Sequence, residues 1–268
     1  MSRLPESTSR RVLRSAGPLL LLLALLSARG AAAQIVNAQA LFDDETGDGL
    51  SGGVEVSADW RTGSNNLLVT RGLVLGQLRQ GKHTLLGVAR GEYGLAQEET
   101  IASRLMEHVR YRYRFVPWLA GETFAQHEFD AFRRLQLRAL VGAGPRFTLW
   151  KGEAGGLILG VAAMVEYERL RSDDAPDAGN RFFDLRLSSY VLGRVKLMEN
   201  VSLMETFYVQ PKVTRPSDVR LLNETLLAFD VNKLLTLTTG FIVTYDATPP
   251  ATVSHFDTQL RTALGVKF

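Results

Sequence analysis

The chain has 268 residues, no cysteine and a formal net charge of +3. Without cysteine it has no disulfide, no thiolate-bound metal or iron–sulfur cluster, no thiol nucleophile and no lipidated cysteine anchor. The positive charge belongs to the first 33 residues, which hold five arginines against one glutamate, so the remainder carries a formal charge of −1. This near-neutral remainder does not predict a nucleic-acid partner, because such binding requires an excess of Lys and Arg.

The first 33 residues have the three parts of a secretory signal peptide. Arg10, Arg11 and Arg14 precede the apolar run 17–26, and Ala31-Ala32-Ala33 follows it. A positive end, a short apolar core and a small-residue cleavage site predict that residues 1–33 are a cleaved signal peptide. A membrane-spanning helix needs about 20 apolar residues, roughly twice the length of this run. We therefore predict export rather than an N-terminal membrane anchor.

Residues 34–49 are acidic and contain the run Asp43-Asp44-Glu45 followed by two glycines. They show no hydrophobic period, and their spacing does not match an EF-hand calcium loop. The segment is therefore predicted to be a flexible N-terminal extension of the folded domain.

From residue 50 onward the hydrophobic pattern has a period of two. Between Phe256 and Phe268, apolar or threonine side chains occupy every second position, and polar or small ones lie between them. In a β-strand these two sets face opposite sides of the sheet. Twelve segments are predicted as strands on this basis: 50–62, 65–79, 82–94, 101–115, 118–128, 132–149, 155–170, 181–196, 201–211, 218–229, 234–246 and 255–268.

The lengths and connections of these segments favour a membrane barrel. Most of the segments exceed ten residues, whereas strands of soluble sandwiches usually have about five or six. Compact turns alternate with longer polar loops, as in outer-membrane barrels with an even number of strands. A sheet exposed to lipid must also close, because unpaired backbone groups are costly in hydrocarbon. We predict an all-β fold, a single antiparallel transmembrane β-barrel of about twelve strands over residues 50–268, with a soluble sandwich as the alternative.

Several short motifs resemble one known family. They are Val54-Glu55-Val56-Ser57 running into the turn 62–66, the segment 110–113, the glycine-containing segment 140–147 and the terminal Phe268. On these residues the chain resembles the YdiY-like salt-induced outer-membrane proteins, the family of domain of unknown function 481. The resemblance covers residues 53–268 and implies an outer-membrane location in a Gram-negative bacterium and a link to salt or osmotic stress. The resemblance implies no catalytic residue.

The last strand resembles a barrel-assembly signal. Phe268 is preceded at alternate positions by Val266 and Leu264. This arrangement resembles the carboxyl-terminal signal that the outer-membrane barrel assembly machinery reads. The predicted partners are therefore that machinery during biogenesis and outer-membrane lipid, while the sequence does not indicate an oligomeric state.

If the apolar rows face lipid, the opposite rows place charged side chains in the lumen. Arginines along a continuous water path would form a narrow passive pore that favours anions. Arginines paired with carboxylates would instead close the lumen as a structural network. The predicted set comprises Arg110, Arg112, Arg114, Arg134, Arg138, Arg146, Arg186, Arg194, Glu122, Glu166, Glu168, Asp184 and Glu224.

Two carboxylates depart from the pattern. Glu107 and Glu205 fall on the predicted lipid-facing rows, where a charge costs a few kcal/mol at the bilayer midplane and less near the headgroups. Either they lie near headgroups or a β-bulge shifts the local register.

Two histidines raise a third hypothesis, a barrel hydrolase. His127 lies with Glu128 and Asp130 in a predicted outer loop, and His255 lies with Asp257 at another, so each place offers a His–Asp pair for acid–base chemistry. No nucleophile or metalloprotease motif accompanies them. We expect an envelope protein without enzymatic activity, cofactor or metal site, acting as a narrow pore or as a closed structural or adhesive barrel.

Overall fold

The computed structural model of the protein describes residues 47–62, 66–97 and 99–267. Among these residues, no helix is long and apolar enough to cross a membrane. The predicted signal peptide over residues 1–33, most of the acidic segment 34–49 and Phe268 lie outside the described residues.

Twelve antiparallel strands form one closed barrel, as the sequence pattern predicts. Each strand pairs with the next along the chain, and β1 pairs with β12, where Val54 lies opposite Val266. The sheet is therefore continuous around the barrel, which excludes the two-layered sandwich. The strands are β1 (Gly49–Arg61), β2 (Leu67–Gln80), β3 (His83–Ala96), β4 (Glu99–Val116), β5 (Leu119–Asp130), β6 (Leu135–Gly152), β7 (Gly155–Leu170), β8 (Arg181–Met198), β9 (Val201–Lys212), β10 (Arg215–Asp230), β11 (Leu235–Asp246) and β12 (Phe256–Lys267).

Side chains alternate between the barrel interior and the outer surface. On β4, Met106 and Arg110 are buried inside, whereas Leu105 and Val109 are exposed outside. The same alternation runs through the other strands, because a strand directs successive side chains to opposite faces. The outer rows are mostly apolar, and the inner rows mix charged, polar and apolar side chains.

The two ends of the barrel differ in their connections. One end, here called the short-turn end, carries the connections 81–82, 117–118, 153–154, 199–200 and 231–234. The opposite end, the long-loop end, carries the two longest connections, 171–180 and 247–255, together with four shorter ones. The predicted strands 201–211 and 218–229 leave a connection over 212–217, but the structure has a two-residue turn there, because Lys212 and Arg215 pair across it.

The start of β6 corrects one predicted boundary. The predicted strand 132–149 begins three residues later, at Leu135, and extends to Gly152. The Asp130 carboxylate accepts the backbone N–H groups of Phe132 and Arg133, at 3.1 and 3.2 Å. This local capping favours a turn over a continued strand. Arg134 completes the turn with a φ of +58°.

Candidate functional site in the barrel interior

The long-loop half of the interior is organised around Glu166 on β7. Arg138 on β6 donates through Nε to Glu166 Oε2 at 2.7 Å. Arg186 on β8 donates through Nε to Oε1 at 3.2 Å, and Arg220 on β10 donates through Nη1 to Oε1 at 2.6 Å. All four side chains are almost completely buried. One carboxylate therefore joins four strands through charge-assisted hydrogen bonds, which are stronger than neutral ones.

Further carboxylates balance these arginines. Arg220 also bonds Glu168 at 3.0 Å and Asp246 on β11 at 2.9 Å. Arg186 donates to Asp218 on β10 at 2.9 Å. Buried charges are tolerated when they are paired and hydrogen-bonded, and the cluster meets that condition. The result is a compact polar block that links β6 through β11.

A smaller group of three charged residues lies on β2, β3 and β4. Glu92 accepts a hydrogen bond from Arg104 at 2.6 Å, and Arg71 Nε lies 3.3 Å from the Glu92 carboxylate. Between this group and Arg261 of β12 is a small interior cavity of about 40 Å³. A cavity of this size has room for a few water molecules.

The short-turn half of the interior is organised around Glu122 on β5. Arg110 Nη1 and Arg112 Nε, both from β4, donate to its carboxylate at 2.7 and 2.8 Å. The Tyr190 hydroxyl on β8 donates to it at 2.9 Å, and Arg146 Nε on β6 lies 3.6 Å away. Here three guanidinium groups from β4 and β6 surround one carboxylate.

Apolar side chains fill the lumen at mid-height. Three clusters of buried residues lie on the inner wall, and two inward glycines leave room for their aromatic rings. A Cβ at Gly142 would lie 2.4 Å from the Phe124 ring, and one at Gly160 would lie 2.0 Å from the Tyr190 ring. The clusters comprise Leu73, Leu86, Val88 and Met106; Phe124, Leu140 and Met164; and Tyr190, Leu192, Met204, Tyr208, Leu222, Leu226 and Ile242.

Three connections of the long-loop end meet at Arg134. Its guanidinium donates to Asp173 at 2.6 and 2.8 Å and to Asp177 at 2.5 Å, both in the loop 171–180. It also donates to the carbonyl oxygen of Ala251, in the connection 247–255, at 2.9 Å. Asp177 in turn accepts the N–H of Ala251 at 2.7 Å. We call Arg134, Asp173, Asp177 and Ala251 the loop clasp.

The loop clasp stabilises the ionised form of both aspartates. Hydrogen bonds from Arg134 lower the pKa of Asp173 to about 2. Burial works against ionisation of Asp177, but the Ala251 N–H and the Arg134 guanidinium outweigh it and lower the pKa of that carboxyl. Asp173 and Asp177 of the acidic segment 173–177 are therefore both paired with Arg134. Within the described ranges, no group of three or more His, Asp or Glu side chains is arranged to hold a metal ion.

The structure separates the predicted charged residues into three locations. The first location is the interior, which holds the Glu122 and Glu166 clusters. Glu224 also lies there, 3.9 Å from Arg261, and Asp184 pairs with Lys212 at 2.5 Å. Arg114 and Arg194 line a cavity at the short-turn end. Arg134 lies in a turn of the long-loop end instead of on a strand. Interior residues that the sequence analysis missed occupy inward positions of the same alternating strands: Arg71, Glu92, Arg104, Glu128, Asp218, Arg220, Asp246 and Arg261.

The two candidate catalytic histidines have other partners than those predicted. His127 lies within β5 and not in an outer loop, with Nδ1 3.5 Å from Glu107 on the outer surface. His255 Nδ1 lies 2.8 Å from the carbonyl oxygen of Asp246. Asp257 faces Arg133 at 3.6 Å. The His–Asp pair that the hydrolase hypothesis requires at residues 255 and 257 is therefore not formed.

The two outward carboxylates keep the strand register. The pairing is regular through Glu107 and Glu205, so neither lies at a bulge. Glu205 accepts hydrogen bonds from Asn223 Nδ2 and, at 2.6 Å, from Thr225 Oγ1. Both carboxylates face outward with a polar partner on the neighbouring strand, which lowers the cost of placing them there.

Comparisons with known proteins give a family and a set of barrels. Residues 54–268 match the family described as "Protein of unknown function, DUF481". No curated protein matches the sequence. The fold is similar to the translocator domain of autotransporter NalP from Neisseria meningitidis, with 10% identity, a TM-score of 0.46, and coverage of 84% of this chain and 90% of that one. It is also similar to the NanC porin (11% identity, TM-score 0.47, 82% and 98% coverage) and to the KdgM porin (10%, 0.39, 82% and 98%).

Proposed function

The chain belongs to the DUF481 family, and we propose that it is an outer-membrane envelope barrel whose lumen is closed, so that it does not conduct solutes. The placement in a membrane is supported by the outer surface. Large apolar side chains such as Leu260 and Phe183 are more than 70% exposed on it, in a sheet that has no open edge. In transmembrane barrels the shorter turns face the periplasm, which would place the short-turn end there.

One observation carries the proposal of a closed lumen: the interior is occupied by side chains at three successive heights. The loop clasp covers the long-loop end, the Glu166 cluster lies beneath it, and the apolar clusters fill the middle. A conducting pore requires a continuous water path, whereas the interior cavities of about 40 and 130 Å³ have separate linings. The packing therefore favours the closed barrel over the narrow passive pore.

The ion pairs of the lumen are suited to a permanent closure. Removing one partner of a buried pair typically costs about 3–5 kcal/mol, since the other charge is left uncompensated. An opening motion would have to break several such contacts around Glu166 at once. The closed state is therefore separated from any open state by a large free-energy difference.

Planar-bilayer recordings test the closure. Refolded full-length protein is reconstituted beside a large-pore porin, which serves as the control for insertion. We expect no conductance steps from the barrel in membranes where its insertion is verified by a heat-dependent shift in SDS gel mobility. Stable, reproducible conductance steps would support the passive pore instead.

The link to salt or osmotic stress is a separate proposal that the family resemblance supports. A deletion strain grown in media of increasing salt tests it, with the wild-type gene supplied in trans as the control. We expect a growth or envelope-permeability defect that appears at high salt and is reversed by the supplied gene. Equal behaviour of the two strains at every salt concentration would contradict the link.

A further inference from the structure

Two arginines face each other on the outer wall at the long-loop end. Arg169, near the end of β7, lies directly opposite Arg181, the first residue of β8. Arg169 points outward, because strand alternation places Glu168 and Leu170, on either side of it, in the buried interior. Arg181 faces the same side as its cross-strand partner. Cβ atoms of such opposite residues are about 4.5–5.5 Å apart, and like charges there repel each other. We call these two residues the outer arginine pair.

The outer arginine pair has no carboxylate partner in the part of the chain that the structure describes. Arg169 Nε is buried without a hydrogen-bond partner. The loop 171–180, which joins β7 and β8, holds three aspartates, but two of them are bound by Arg134 in the loop clasp. The third, Asp174, is exposed to solvent and forms no ion pair with a described residue. The acidic sequence before β1 joins the barrel at the opposite, short-turn end, where Gly49 begins that strand.

The position of the pair corresponds to the headgroups of one lipid leaflet. The outward positions of β7 from Leu157 to Tyr167 carry only apolar or aromatic side chains. This stretch has the length of about 9–11 residues that a strand needs to cross the hydrocarbon core. Tyr167 and its register partner Phe183 provide the aromatic side chains expected at the edge of that core. The outer arginine pair comes next on the same two strands, so its guanidinium groups reach the level of lipid phosphates.

A shallow groove of about 420 Å³ crosses the outer wall beside the pair, toward the middle of the barrel. It extends from Phe183 on β8 to Val109 on β4, and Tyr167 also lines it. Ala125 and Ala139 keep its floor low, because their side chains are small. Four strand spacings of about 4.8 Å give it a length of roughly 19 Å. An extended acyl chain fits this shape, and we call it the acyl groove.

The two ends of the acyl groove differ in charge. Its β8 end adjoins the outer arginine pair. At its β4 end, Glu107 lies 3.5 Å from His127 Nδ1. Three strand spacings, about 14 Å, separate Glu107 from β7. An anionic headgroup is therefore attracted to the β8 end, and the groove leads its acyl chain away from that end.

We propose that the outer arginine pair and the acyl groove together bind one phosphate-bearing lipid of the leaflet at the long-loop end. The phosphate lies between Arg169 and Arg181, where it relieves their mutual repulsion, and one acyl chain follows the groove. Guanidinium groups match phosphate oxygens with paired hydrogen bonds, and basic groups at a membrane surface recognise anionic headgroups. The proposal rests on the placement of the barrel in a membrane. It goes beyond the closed lumen, because the site is on the outer wall.

Native mass spectrometry of the refolded full chain tests the site. The barrel is released from a nonionic detergent that contains equal amounts of dioleoyl phosphatidic acid and dioleoyl phosphatidylcholine. The two lipids have the same acyl chains, but only phosphatidic acid has a phosphate without a choline cation attached. We expect one phosphatidic acid per barrel and a preference of about tenfold over phosphatidylcholine, because charge-assisted hydrogen bonds favour the free phosphate. Equal retention of the two lipids would overturn the proposal.

Paired charge variants distinguish the outer arginine pair from general surface charge. Arg169→Gln with Arg181→Gln should lower the retention of phosphatidic acid by about tenfold, since both phosphate contacts lose their charge. The matched control, Lys196→Gln with Arg215→Gln, removes two exposed cations elsewhere on the barrel and should leave retention unchanged. Equal losses in the two double variants would rule out a site at the pair.

A second pair of variants tests the acyl groove without changing any charge. Ala125→Leu with Ala139→Leu fills the floor of the groove and should reduce retention of phosphatidic acid. The control, Ala58→Leu with Ala89→Leu, adds the same volume at exposed positions of β1 and β3 and should have no effect. Unchanged retention in the filled groove, or full displacement of the lipid by inorganic phosphate, would show a site for a soluble anion and overturn the lipid proposal.

The heat-dependent gel shift shows which variants fold. If the double arginine variant does not, Arg181→Gln alone replaces it, because Arg181 is exposed at the first position of β8. Insertion into phosphatidylcholine vesicles is measured in parallel on the wild type. A barrel that inserts but does not select phosphatidic acid overturns the lipid site and leaves the membrane placement intact. A folded barrel that stays soluble without detergent overturns the placement itself.

Discussion

Arg220 and Glu166 meet inside the barrel with 2.6 Å between Nη1 and Oε1, although two strands, β8 and β9, separate them along the wall. Wall hydrogen bonds join only neighbouring strands. This contact therefore adds a crosslink that the sheet itself cannot supply. With the Glu166 bonds to Arg138 and Arg186, it makes one carboxylate the centre of the long-loop half.

Replacing the central carboxylate should destabilise the barrel strongly. Glu166→Gln leaves three buried arginines without their shared counter-charge, and we expect a loss of about 3–5 kcal/mol in the free energy of unfolding. Urea unfolding in detergent, followed by tryptophan fluorescence, measures it. Glu153→Gln, in an exposed turn, is the matched control and should change the free energy by less than about 0.5 kcal/mol. A similar small change in Glu166→Gln would show that the cluster does not hold the lumen together.

An added methyl group at Gly160 should displace Tyr190. The new Cβ would lie 2.0 Å from the ring, so the ring must move and its hydroxyl must leave Glu122. We expect Gly160→Ala to cost about 1–3 kcal/mol by overpacking. The control Gly193→Ala meets only Leu157 Cδ1 at 4.0 Å and should be much milder. Adding Tyr190→Leu to Gly160→Ala should recover part of the loss, and an unchanged loss would contradict the clash.

The barrel and the inward character of several charged residues could be predicted from the sequence. Strand alternation is strict, so a position such as Glu166 or Arg138 follows from its phase within its strand. Arg220 and Asp246 obey the same alternation on β10 and β11. Extending the alternation to every strand would have identified them without further information.

The pairing of the charges could not be predicted in this way. Which inward residues meet across the lumen depends on the stagger of strands around the closed barrel, and the period of one strand does not contain that stagger. Arg134 shows a second limit, which concerns where a strand begins. The Asp130 carboxylate caps the backbone N–H groups of Phe132 and Arg133, so Arg134 lies in a turn and not in the predicted strand. Its partners Asp173 and Ala251 lie in loops that are distant in sequence. The sequences of these loops have no hydrophobic period from which their path could be predicted.

The loop clasp should open in acid. The folded-state pKa of Asp173, about 2, lies below its usual value, so the ionised carboxylate stabilises the clasp at pH values above about 4. This stabilisation is lost as the pH falls from about 4 towards 2. The cysteine-free chain allows a single spin label at Ser172→Cys, whose mobility in electron paramagnetic resonance spectra should rise over that range. Arg134→Gln should give a mobile label at every pH, and a rigid label in that variant would contradict the clasp.

Removing the aromatic filling alone should leave the barrel closed. Phe124, Tyr190 and Tyr208 occupy the middle of the lumen, and their replacement by alanine empties part of the space between the Glu122 and Glu166 clusters. We expect no conductance steps in planar bilayers, because the ion pairs around Glu166 and the loop clasp still close the long-loop half. An outward control, Phe183→Ala with Leu187→Ala and Val191→Ala, removes apolar volume from the outer surface and should also stay silent. Conductance steps from the interior variant, once its gel shift shows that it folds, would mean that the apolar clusters and not the polar block close the lumen.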